Sequence, residues 1–165
     1  MKITYFLDKK IAAKAFLSYH KTDKKVKIII ETVLLGALIG MFLHSFIVSK
    51  DRMQLFLLFA SLVVLFMVYY APFLSAKSLG EIFKSGLEFN LELTQNSIKI
   101  KPQTAEEKEI SFEEISKAVE NRQFFFIVTN DRFYPIPKEQ MKQDEILLFS
   151  ESLKKGLGEN LKYKK

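Results

Sequence analysis

The side chains in this sequence that could do chemistry are few and poorly spaced for it. His20 and His44 are the only imidazoles, and 24 positions separate them. There is no cysteine, which excludes disulfides, thiolate zinc sites and cysteine nucleophiles. A nucleophilic serine needs a base within hydrogen-bonding reach, and Ser111 has no histidine near it in sequence. Two carboxylates in different surroundings can divide acid and base work, and Glu113-Glu114 is the obvious pair. Neighbours in an extended chain point to opposite faces, so their adjacency works against shared chemistry. Asn130-Asp131 suits a turn as readily as a site. No nucleophile elbow, phosphate-binding loop or dinucleotide fingerprint occurs. The expectation is a protein with no catalytic activity, no cofactor and no metal.

The elements that would position these residues are dominated by two apolar runs. Residues 28–49 hold only Glu31 and His44 as titratable groups, and residues 53–76 hold no charged side chain. A membrane-spanning helix needs about 20 apolar residues. The runs therefore predict transmembrane helices over 28–49 and 53–76, joined by a short extracytoplasmic turn over 50–52. The first run is too long for a signal peptide, and a second follows almost at once. So short a connection makes the helices antiparallel neighbours.

The formal charge of +6 is unevenly spread. Residues 1–27 carry eight lysines against Asp8 and Asp23, a balance of +6, while the rest of the chain cancels. A basic chain can bind nucleic acid, but a cluster confined to the approach to an apolar run fits anionic lipid headgroups better. Lys21, Lys24, Lys25 and Lys27 are the candidate headgroup contacts, and no nucleic-acid partner is expected. Flanking lysines and arginines set orientation. They crowd the outer ends of both runs, whereas the turn has only Lys50 and Arg52, so both termini are expected in the cytoplasm. Lys27 and Glu31, at i and i+4, can share a helix face. Gly36 and Gly40 form a G-x-x-x-G pair, a spacing that lets helices approach closely, towards the second helix or another copy.

Outside these runs the periodicity changes. KITYFL at residues 2–7 reads as a strand, with Asp8 as N-cap of a helix from Lys9 to about His20. That basic, amphipathic helix suits either the membrane surface or the face of a domain. Residues 77–85 form a linker or extend the second apolar helix. Leu87, Phe89, Leu91 and Leu93 then alternate with polar residues, as in a half-buried strand. Further strands are expected from Ser97 to Lys101, Glu109 to Phe112 and Ile115 to Glu120, with a polar loop over 102–108. Phe124 to Thr129 has the strongest strand composition in the chain. After the Asn130-Asp131 turn, Arg132 to Ile136 returns antiparallel, and Pro135 and Pro137 mark it as an edge. Ile146, Phe149, Leu153 and Leu157 then share one face of a closing amphipathic helix, and a basic tail follows over 159–165.

This order resembles the YcxB-like family of bacterial membrane proteins. The resemblance is strongest from Leu87 to Leu157. It rests on Ile98, on Ser111-Phe112-Glu113-Glu114-Ile115 (where the family reads Ser-Trp-x-x-Ile and Phe112 stands for the tryptophan), on the phenylalanine-rich strand, on Ile136-Pro137-Lys138 and on the closing helix. It implies a bacterial inner-membrane protein: a helical membrane hairpin plus an α+β domain over 86–158. That domain would be a small antiparallel pleckstrin-homology-like sheet or barrel closed by a C-terminal helix. It implies no catalytic residue.

The functional expectation is a membrane-anchored cytoplasmic binding or scaffold module with an unknown ligand. Its candidate binding edge comprises Arg132, Phe133, Tyr134, Ile136 and Lys138. The alternative is an accessory subunit of a membrane complex acting through its hairpin, with Gly36 and Gly40 as the helix–helix interface. Membrane lipid and a protein partner or second copy are the expected partners.

Overall fold

A computed structural model describes residues 1–103 and 106–157. The basic tail and part of the 102–108 loop lie outside the described residues. The chain divides into two compact units, one formed by residues 1–19 and those from 76 onward, the other by residues 20–75.

The first unit is α+β, with its strands in two antiparallel sheets. Strands β1 (Lys2–Leu7), β2 (Leu87–Leu93), β3 (Ser97–Pro102) and β4 (Lys108–Ser111) form one sheet in that order. Strands β5 (Ile115–Glu120), β6 (Phe124–Thr129) and β7 (Phe133–Pro137) form the other. The described strands do not close into a barrel. Phe112 leaves the strand expected for it and opens a 3-10 turn, Phe112–Glu114, which carries the chain from one sheet to the other.

β1 shows how far the sheet reaches in sequence. It pairs with β2 along its whole length, from Lys2 opposite Glu92 to Leu7 opposite Leu87. Its burial alternates, with Ile3, Tyr5 and Leu7 inward, and the Tyr5 ring stacks on its cross-strand partner Phe89 at 5.3 Å. The outer face of the sheet carries alternating charge. Lys2 pairs with Glu92 and Lys99 with Glu109, and the register sets Glu92 opposite Lys99. Opposite charges facing each other across strands stabilise a sheet modestly and leave this face without a positive cluster.

The phenylalanine run of β6 is explained by burial on both faces. Phe125 and Ile127 enter the main core, where Phe125 meets Phe149 of helix α4 (Gln143–Leu157) edge-on at 4.9 Å. Phe124 and Phe126 face the other way, into a second cluster with Val119 and Ala15. Ala15 belongs to helix α1 (Lys9–Asp23). A strand covered on both sides reads as a continuous apolar run rather than an alternating one. α1 starts where its cap residue predicts, the Ile11 amide donating to Asp8 Oδ1 at 2.7 Å. Of the two surfaces its apolar stripe suits, residues 11–19 lie on the three-stranded sheet. Tyr19 packs on Phe126 and Phe133, and Asn121 donates to Ser18 Oγ at 2.8 Å.

The second unit consists chiefly of helix α2 (Lys25–Ser49) and the first three-quarters of helix α3 (Arg52–Ile82). Both are long and apolar enough to cross a membrane. At about 1.5 Å per residue, 25 and 31 residues measure roughly 37 and 46 Å. Lys50 ends α2 in the left-handed conformation, its amide bonded to Phe46 O, and Asp51 Oδ1 accepts from the Met53 amide to open α3. Thr32 and Tyr69 join the two helices, hydroxyl to hydroxyl, at 2.7 Å. α3 runs on through Pro72 and past Ala76, so residues 77–82 extend the helix and only 83–86 form a link. That link closes on Gly86 at φ +71°, where the Phe6 ring lies against the backbone and a Cβ would stand 2.2 Å from its edge.

Candidate functional site

The residues chosen for their chemical potential remain apart. Glu113 and Glu114 are exposed on the 3-10 turn, whose neighbours Phe112 and Ile115 are buried. Phe112 and Ile115 are three positions apart, the spacing that superimposes side chains in a 3-10 helix. The Ser-Phe-x-x-Ile motif is thus explained by packing. Ser111 caps the turn through the Glu113 amide, and the Phe112 ring lies on Gly156 of α4, where a Cβ would come within 2.5 Å. His20 stands in the last turns of α1, where partial burial, helped by nearby Lys24, lowers its pKa. His44 stands on the outer side of α2. Among the described residues no group of three or more histidine, aspartate or glutamate side chains could hold a metal.

Ile136-Pro137-Lys138 is also structural. Ile136 is fully buried. Lys138 reaches Glu120 Oε1 at 2.5 Å and lies over the Phe125 ring, 4.3 Å from its centre. Ser150 of α4 donates to the other oxygen of Glu120 at 3.0 Å. One buried carboxylate therefore ties β5, the end of β7 and α4 together. Sequence reasoning missed it because its members are 12 to 30 positions apart. A lysine directly after a strand ending in proline was the only available hint.

These contacts occupy most of the expected binding edge. β7 pairs only with β6 and is an edge strand, as its prolines suggested. Phe133 stacks on Phe126 at 5.6 Å and meets Phe16 and Tyr19, while Ile136 and Lys138 are committed to the interior. Tyr134 is half-buried, and its hydroxyl has no hydrogen-bond partner among the described residues. Arg132 alone of the five is exposed. Ladder bonds at Arg132 O and Lys138 N turn the even-numbered residues of this strand towards β6. Pro135 and Pro137 therefore present their backbones outward, with acceptors but no donors, which blunts strand addition.

The opposite edge is also partly covered. The Gln140 side chain donates to Phe6 O at 2.9 Å and accepts from the Phe6 amide at 2.7 Å, imitating a paired strand on β1. An open groove of about 1010 Å³ lies instead between the β2–β3 turn, the 3-10 turn and α4. Leu93, Phe112 and Leu148 supply apolar lining, and Gln95, Glu113 and Lys155 supply polar lining. Leu147 and Leu148 are 61% and 54% exposed on α4 beside it. Neither Glu120 nor Lys138 lines this groove.

In the helical unit, Cβ atoms at Gly36 and Gly40 would meet nothing within 4 Å. Both glycines are exposed, whereas Thr32, Leu35, Ile39 and Phe42 form the more covered side of α2. Lys27 and Glu31 pair at 3.5 Å along the helix, at the predicted spacing. Lys21, Lys24, Lys25 and Lys27 cluster around the α1–α2 junction, where Lys24 alone is non-helical at φ −100° and ψ 12°.

The molecule is therefore an α+β domain whose sequence is interrupted, between its first and second strands, by two long apolar helices. Residues 93–151 match the family model described as YcxB-like protein, so that segment is similar to the YcxB-like family. The match covers the motifs at Ile98, Phe112 and Lys138. No curated protein and no solved structure matches the chain.

Proposed function

We propose that this protein is a membrane-anchored, non-catalytic binding or scaffold module. The observation that carries the reading is the pairing of β1 with β2. The strand before the apolar helices and the strand after them lie side by side in one sheet. An apolar hairpin inserted in such a loop tethers the domain to the bilayer through two chain connections. Both ends of the hairpin must then lie on the same side of the membrane, and the lysine excess before α2 selects the cytoplasm. The bacterial inner membrane is the proposed location. The four-strand and three-strand sheets with a C-terminal helix also support a pleckstrin-homology-like reading of the domain. The lysines at positions 21, 24, 25 and 27 would contact anionic headgroups, each worth about 1 kcal/mol near such a surface.

Within the domain, the groove beside Leu148 is a better binding candidate than the β7 edge, because the edge side chains are already used. Topology is tested with single cysteines in the cysteine-free chain. An impermeant maleimide applied to intact cells should label Lys50→Cys and should leave Lys10→Cys and Asp131→Cys unlabelled until the membrane is opened. Labelling of Asp131→Cys from outside would refute the proposed orientation. Binding is tested by recovering the protein in native lipid and identifying what accompanies it, with Leu148→Glu as the comparison. Recovery of the same companions in the same amounts from Leu148→Glu would remove the groove from the reading.

A second reading is an accessory subunit that acts through the hairpin. It is favoured by one observation: α2 turns Gly36 and Gly40 away from its covered side, leaving that face open to a second copy or another membrane helix. Replacing both with leucine should change the assembly state in lipid. An unchanged state would sink this reading.

A further inference from the structure

We draw no further inference here: the strongest candidate, the groove between the β2–β3 turn, the 3-10 turn and α4 with Leu147 and Leu148 exposed beside it, already belongs to the candidate site, and nothing in the structure shows what covers it.

Discussion

Replacing Tyr5 with alanine in the full chain tests whether the first strand is structurally part of a domain that resumes some eighty residues later. Tyr5 is 2% exposed, stands opposite Phe89 in the register and stacks on its ring with an interplanar angle of 10°. Truncating a buried aromatic side chain to alanine costs about 3–5 kcal/mol, as lost transfer energy plus the cavity left behind. A typical domain has only about 5–15 kcal/mol in total. The assay is limited proteolysis of the protein in lipid, following cleavage within residues 86–157. When opening and closing are fast relative to cleavage, the rate tracks the population of the open form. At about 1.4 kcal/mol per factor of ten, the expected acceleration is roughly 100- to 4000-fold. Lys2→Ala is the control on the same strand. Its side chain is 78% exposed and pairs with Glu92 at 3.5 Å. Exposed pairs contribute about 0–1 kcal/mol, so less than about a fivefold change is expected. Equal cleavage rates for the two variants would refute the claim that β1 completes the domain core.

Other consequences follow from the buried groups. Lys138→Ala should destabilise the domain by about 3–5 kcal/mol in denaturant titration, because it leaves the Glu120 carboxylate buried without its cation. The double variant Glu120→Leu/Lys138→Met should recover most of that loss; if it is no more stable than Lys138→Ala, the pair contributes something other than mutual neutralisation. Burial, with a smaller contribution from Tyr134, pushes the Tyr5 hydroxyl well above its ordinary value of 10.0. The folded state therefore keeps this proton while the unfolded chain releases it. Stability is unaffected by this group below about pH 10 and falls above it, by up to about 1.4 kcal/mol per pH unit. Tyr5→Phe should lack this alkaline component in unfolding midpoints measured across that range, and identical pH profiles would refute the assignment. Gly80→Val should weaken the packing of α3 on α1, because a Cβ there would stand 2.9 Å from Lys9 O, and overpacking of this kind costs about 1–3 kcal/mol. The same protease assay would read it.

The sequence alone determined the elements whose cause is local. Apolar runs of sufficient length make α2 and α3. The two-residue alternation from Leu87 makes β2, Asp8 starts α1 through its own carboxylate, and the Pro135/Pro137 pair marks an edge. Each depends on a periodicity or on a side chain bonding within a few positions of itself. Tertiary structure decided which faces those elements bury. The alternation within KITYFL makes a strand but does not say which of the later strands it joins; its register with Leu87 to Leu93 is set by surfaces some eighty residues apart. Phe124 to Phe126 read as a strong strand, but only the placement of α1 against one face and α4 against the other explains why none of the three is exposed. Lys138 looked like an accessible charge on a free edge, and the fold buries it against Glu120. Glu109 to Phe112 reads as one strand, but Phe112 instead opens the 3-10 turn through which the chain passes from one sheet to the other. Local pattern specifies the shape of a segment, whereas exposure and partnership depend on surfaces that meet only when the chain has folded.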